Sequence, residues 1–252
     1  MEPIIKALHE LERLHKIKIL YACETGSRAW GFPSPDSDYD VRFLYCHSKD
    51  WYLHLGHHKE SIELMKDELD ITGWDLRKSL KLMKKSNTAL IERFQSPVQY
   101  LGDADFKEEF LHLAEQYYSA TAVYFHHYSL AVKFRGEVDE KPEFKLKSYF
   151  YLLRSLLSCN WIVNDSRMPP MHIEGLMVYL SEEDRHMVRE LIKQKAGLNE
   201  SYLHTGSADQ SGLIDRLFEQ VTGKGNSLPV KDESYSKLND FFIKQLNATD
   251  SR

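Results

Sequence analysis

Cysteine is scarce in this 252-residue chain, and the three present, Cys23, Cys46 and Cys159, stand far apart with no CxxC pair. That spacing argues against a disulfide framework or a structural zinc site, and a reducing cytoplasm is the expected compartment. Long apolar runs are lacking too. The best candidate, YFYLLRSLLSCNWIV, is interrupted by Arg154 and Asn160 and falls short of the roughly 18 residues that span a bilayer, so no membrane is expected. The N-terminal MEPIIKALHELERLHK is too polar for a secretion signal. A basic excess is also missing. The formal charge is −5, which leaves no chain-wide footprint for nucleic acid but does not exclude a local basic cleft. Repeats and low-complexity tracts are absent. With 42% hydrophobic and 28% charged residues, the composition is that of an ordered chain with a buried core, enough for one large domain or two small ones.

Local pattern gives the order of elements. Ile4, Leu8, Leu11 and Leu14 recur at helical spacing, which predicts a helix over 3–15. Strands are predicted from Ile17 to Cys23 and from Tyr39 to Cys46, separated by GSRAWGF and the loop FPSPDS. SIELMK and ELDITGW read as a hairpin turning around Lys66 and Asp67. After Trp74 the period becomes helical. Leu76, Leu80 and Met83 share a face, with Asp75 as N-cap. Further helices are predicted near 105–120, 121–135, 145–164, 174–180, 182–196, 208–222 and 233–246. Strands first and helices afterwards predict an α+β fold, with a domain over 1–100 and a helical domain over 101–252.

The chemistry concentrates between Gly26 and Asp70. Asp38 and Asp40 are two apart, so in a strand they face the same side, about 7 Å from each other. Two such carboxylates repel unless a cation sits between them. Mg²⁺ (or Mn²⁺) prefers oxygen ligands and binds through one or two carboxylates plus substrate phosphates. Asp70, between Leu69 and Ile71, is the expected third acid, with Glu68 as its rival on the same strand face. Gly26 lets a backbone approach a phosphate closely, and Ser27 offers a hydroxyl to the same anion at the start of a short helix. An anion seat followed eleven residues later by a carboxylate pair describes a site for a nucleoside triphosphate with its metal.

GSRAWGFPSPDSDYDVRFLY resembles the signature of DNA polymerase beta-type nucleotidyltransferases, a Gly-Ser followed by Asp-x-Asp. It resembles more closely a bacterial and phage subfamily described as an RNA repair pathway DNA polymerase beta family. The likeness continues in DITGWDLRKSLKLMKKSNTALIERFQSPVQY and in KLKSYFYLLRSLLSCNWI, covering most of residues 20–165. The resemblance implies a small mixed sheet flanked by helices, two metal ions and transfer of a nucleoside monophosphate. Gly26 and Ser27 match the phosphate-binding pair. Asp38 and Asp40 match the paired metal ligands, and Asp70 matches the third acid. The acceptor is left open among an RNA end, a protein side chain and a small molecule. A module that binds nucleotide without catalysis is the competing class.

Other candidates are weighed against plainer readings. Asp36 reads as a turn residue. Lys147, Tyr151, Arg154 and Ser158 form one helical stripe, either a solvated face or a basic strip in which Lys147 and Arg154 meet the triphosphate or RNA. Arg77, Lys78, Lys81, Lys84 and Lys85 read as a solvated helix face. The pairs His57–His58 and His126–His127 point their members in different directions and do not suit zinc. Trp30 and Trp74 are expected to pack rather than stack on a base.

Overall fold

The computed structural model describes residues 1–56, 58–140, 142–229, 231 and 233–250, so His57 lies outside the described residues. In chain order the elements are α1 (Glu2–His15), β1 (Lys18–Glu24), α2 (Gly26–Trp30), β2 (Tyr39–Cys46), α3 (Lys49–Leu53), β3 (Ser61–Lys66), β4 (Leu69–Asp75), α4 (Leu76–Lys84), α5 (Thr88–Arg93) and β5 (Gln99–Gly102). Then follow α6 (Ala104–Tyr117), α7 (Ala120–Asp139), β6 (Glu143–Lys145), α8 (Leu146–Asp165), α9 (Ile173–Leu176), α10 (Glu182–Lys195), β7 (Leu203–Thr205), α11 (Ala208–Val221) and α12 (Ser236–Asp250). The fold is α+β, a five-stranded mixed sheet with a helical C-terminal region. Among the described residues no helix is long and apolar enough to cross a membrane.

The division into compact units does not follow a single cut at residue 100. One unit takes residues 1–26, 38–118 and 231–252; the other takes 27–37 and 119–230. The reason for the second grouping is aromatic. Phe32 stacks on Phe150 at 4.9 Å, and Trp30 meets Tyr151 edge-on at 5.4 Å, so the loop read as a connection folds with the helices.

The sheet unit has strand order β3-β4-β2-β1-β5, with β2 and β4 parallel and the other pairs antiparallel. One sheet face is closed by Ile4, Leu8 and Leu11 of α1, which pack on Ile19, Ala22, Val41, Phe43, Ile62 and Ile71. An aromatic column also packs in this unit, with Tyr21 stacked on Phe94 at 4.5 Å and Phe94 on Phe110 at 3.9 Å. The hairpin turns at Asp67 and Glu68 rather than at Lys66 and Asp67, with Lys66 paired to Leu69 and Asp67 at φ 52°. Asp75 caps α4 as expected, accepting from Arg77 N at 2.8 Å. The predicted single helix after Trp74 is two, because Ser86 sits at φ 54° and Asn87 starts a new cap. The short strand β5 is not among the predicted elements.

The helical unit is built around α7 and α8, and α8 is buried along nearly its whole length. His126 is exposed and His127 buried, so the two do not form a metal pair. Neither ring nitrogen of His127 has a hydrogen-bond partner, and burial holds its pKa well below the usual 6.5. The unfolded chain therefore takes up a proton near pH 6.5 that the folded chain refuses. Stability should fall as pH drops below that value, by at most about 1.4 kcal/mol per pH unit from this group. His127→Leu removes that titration and two unsatisfied nitrogens. Thermal melts between pH 7 and pH 5 should show a shallower decline for the variant; an unchanged slope would contradict the assignment.

Candidate active site

The sheet unit places the acids by register. Asp40 pairs directly with Asp70 across the parallel strands β2 and β4, and Arg42 pairs with Thr72 two residues further on. Directly opposed residues share a face and lie about 4.8 Å apart along the backbone. At an effective dielectric of about 20, two carboxylate charges that close repel by about 3 kcal/mol, so the pair requires a cation. Arg42 supplies one. Its Nη2 donates to Asp40 Oδ1 at 3.0 Å and to Asp70 Oδ2 at 2.7 Å. Its Nη1 donates to the carbonyls of Asp70 at 2.7 Å and Val41 at 3.1 Å. Both acid side chains stay between a quarter and a third exposed, open to a ligand from solvent.

Asp40 is the most tightly held of the predicted residues. Its backbone N donates to Glu24 Oε1 at 2.7 Å, and its carbonyl accepts from Thr25 N at 2.8 Å and from Thr25 Oγ1 at 2.9 Å. Glu24 is buried at the end of β1 and also accepts from Tyr100 OH. The carboxylate of Asp40 lies against Gly26, where a built Cβ would stand 1.9 Å from Asp40 Oδ2 and φ is +63°. Gly26 is thus required twice, for its left-handed backbone and for the missing side chain.

Asp38 precedes β2 by one residue and is exposed, outside the register that opposes Asp40 to Asp70. Glu68 is an exposed turn residue whose carbonyl accepts from Tyr39 N, so it has no strand face to share with Asp70. The expected convergence of three carboxylates is therefore a convergence of two. Among the described residues no group of three His, Cys, Asp or Glu side chains could hold a metal. Two carboxylates in register still suit Mg²⁺ or Mn²⁺, whose remaining positions go to water and substrate phosphates. Cys23 pairs with Arg42 in the β1–β2 register, but burial pushes its thiol up to about 12, which leaves no thiolate for nucleophilic work. The groove of about 670 Å³ lined by His9, Glu12, Lys18, Glu109 and Lys244 contains none of Asp38, Asp40 and Asp70.

The other predicted site residues belong to the helical unit. Ser27 is buried and donates to Ser37 Oγ at 3.0 Å. Ser37 donates in turn to Glu200 Oε1 at 2.8 Å, and Lys147 donates to the second oxygen of Glu200. Asp36, read as a turn residue, accepts from Glu200 N at 2.9 Å. Arg154 is buried rather than presented on an accessible strip. It donates twice to the carbonyl of Met171, and its guanidinium lies 4.5 Å from the Trp30 ring. The solvated-face reading fails for Arg154 and Ser158 alike. Trp30 and Trp74 pack against buried arginines, Trp74 under Arg93 at 3.5 Å.

Comparison with known proteins decides the family. The family model RlaP, described as RNA repair pathway DNA polymerase beta family, matches residues 1–244. The chain belongs to this RNA repair pathway DNA polymerase beta family. A relative in Bacillus subtilis (strain 168), the uncharacterized protein YcgL, is 41% identical over 181 residues, covering 71% of this chain and 70% of its own. Membership of the RNA repair polymerase beta family points to nucleotidyl transfer as the class of chemistry. Sequence reasoning missed Arg42 and Glu24. Arg42 was visible as the third member of Asp-x-Asp-x-Arg, on the same strand face as Asp40. Glu24 carried no comparable signal, because its burial depends on Tyr100 of a strand that was itself missed.

Proposed function

We propose that this protein is a metal-dependent nucleotidyltransferase that moves a nucleoside monophosphate from a nucleoside triphosphate to an acceptor hydroxyl, with an RNA end as the acceptor. The observation that carries this is the in-register Asp40–Asp70 pair, open to solvent, with the Asp40 carboxylate packed against Gly26. In the reaction the acceptor oxygen forms a bond to the α-phosphorus, the bond from that phosphorus to the bridging oxygen of the β-phosphate breaks, and pyrophosphate leaves. Asp40 and Asp70 would hold a divalent cation, with Asp38 as the further ligand that sequence resemblance implies. When bound, Mg²⁺ or Mn²⁺ supplies positive charge to the phosphates and lowers the pKa of the attacking hydroxyl. Asp70 accepts the acceptor's proton. Gly26 leaves its backbone open to a phosphate oxygen.

A second reading is favoured by one observation. A guanidinium already offsets one of the two charges of the acid pair, as it would in a module that binds nucleotide without transferring it. The two separate on one experiment. Wild-type protein is incubated with α-labelled nucleoside triphosphates, Mg²⁺ and RNA with free 3′ hydroxyls, and label and pyrophosphate are followed. Transferase chemistry predicts label on RNA and one pyrophosphate released for each nucleotide added. Binding of nucleotide with no pyrophosphate from RNA, protein or small-molecule acceptors would leave the module.

A further inference from the structure

Strand β2 leads to a second group of polar side chains at the end away from the acids. Tyr45 stands five residues beyond Asp40 on a regular strand, an odd number, so it faces the other side of the sheet. It lies about 16 Å further along the strand and packs with the core beneath α1. A cavity of about 320 Å³ opens there, lined in part by Tyr45, His47, Trp51 and His58, all within the sheet unit. Tyr45 is fully buried, yet its hydroxyl has no hydrogen-bond partner. Nε2 of His58 is buried without one as well. A buried tyrosine hydroxyl usually finds a partner, because leaving it unpaired forfeits the hydration it gave up.

The walls define the chemistry of the ligand. His47 lies flat on Trp51 at 3.8 Å and 9°, and His58 lies against Trp51 at 4.1 Å, a stack of three rings. Burial, with His58 and His15 nearby, lowers the His47 pKa to about 4. Its imidazole is therefore neutral at pH 7 and offers one donor and one acceptor. Lys59 and Glu63 also line the cavity, are exposed and are opposite in sign, so neither charge dominates. A metal ion does not suit the histidines, since among the described residues no group of three His, Cys, Asp or Glu could hold one. An alkyl chain would leave the Tyr45 hydroxyl unpaired. A neutral planar heterocycle with donors and acceptors on its edge satisfies the hydroxyl and extends the ring stack. We infer that this cavity is a nucleobase-binding site separate from the acid pair, in which the Tyr45 hydroxyl and His58 Nε2 bond the edge of the base and the His47–Trp51–His58 stack holds its face. The base belongs to a free nucleoside or nucleotide, or to one residue of an RNA strand. The site stands whether or not the acid pair transfers nucleotides.

The test titrates adenosine, guanosine, cytidine and uridine, which carry no phosphate, and the matching RNA pentanucleotides into the full chain by isothermal titration calorimetry. At least one of these probes should bind. Tyr45→Phe removes only the hydroxyl and should weaken that binding about 3–10-fold. Trp51→Ala should weaken it by at least about 10-fold. Binding should persist in an Asp40→Asn, Asp70→Asn double variant, which separates it from the transfer site. A nucleoside that binds as tightly as its pentanucleotide identifies the free nucleotide as the source. A pentanucleotide at least about 10-fold tighter, with affinity falling as salt rises, identifies an RNA strand. Without ligand, Tyr45→Phe should melt no lower than the wild type, because the hydroxyl it loses has no partner. If Trp51→Ala does not fold, Tyr45→Phe carries the test alone. No binding of any probe, equal affinity in Tyr45→Phe, or loss of binding in the double variant would overturn the site. So would a lower melting temperature of Tyr45→Phe, which would mean that the hydroxyl is already satisfied.

Discussion

Asp40→Asn and Asp70→Asn should each reduce nucleotidyl transfer by on the order of 1000-fold, about 4 kcal/mol of transition-state stabilisation. The substitution keeps shape and keeps an oxygen for Arg42, but it removes the charge that a hard cation requires. Stability should change little, within about 1 kcal/mol, since each variant also relieves the repulsion between two acids in register. Asp38→Asn should cost less than either, because Asp38 is exposed and stands outside the pair. Labelled-nucleotide turnover, with a thermal melt on each variant, checks the order. A wild-type rate in Asp40→Asn would remove the acid pair from the chemistry. Asp38→Asn falling as far as Asp40→Asn would show that the seat gathers a third carboxylate when nucleotide binds.

Gly26→Ala should be nearly as damaging, by another route. Its Cβ would fall 1.9 Å from Asp40 Oδ2 and 2.8 Å from Asp40 Cγ, so the carboxylate must move by an ångström or more. A displacement of that size in a catalytic group costs roughly 100-fold in rate. The left-handed backbone adds about 1–2 kcal/mol of destabilisation. Gly223→Ala separates the two effects. Gly223 also has a positive φ, +76°, but nothing lies within 4 Å of its Cβ position. It should lose about 1–2 kcal/mol of stability and keep its transfer rate. Equal rates for the two variants would mean that the Gly26–Asp40 contact does not matter to turnover.

What the sequence discloses follows from the range of each interaction. Strand β2 was predicted over Tyr39–Cys46 and is found there, because YDVRF alternates, FLYC is a short buried apolar run and the flanking loop is marked by proline. The pairing of Asp70 with Asp40 could not be read, since register between residues 30 apart in the chain depends on the hairpin between them. The turn at Asp67 and Glu68, one residue later than expected, decides that Asp70 and not Glu68 lies on β4. Strand β5 was missed because four residues between Pro97 and Gly102 show no alternation long enough to count. The grouping of residues 27–37 with the helices was hidden for a similar reason. Trp30 was legible as a packing residue, but nothing local says which core it joins. Within α8, the Arg154 stripe looked polar by period alone; only Met171 and Trp30, distant in sequence, explain a buried guanidinium.

The most direct test of the central claim counts the divalent ions that the acid pair holds. Equilibrium Mn²⁺ titration of the wild type and of an Asp40→Asn, Asp70→Asn double variant should show at least one ion bound in the presence of a non-hydrolysable triphosphate and its loss in the folded double variant. The same number of ions bound with the same affinity in both proteins would contradict it.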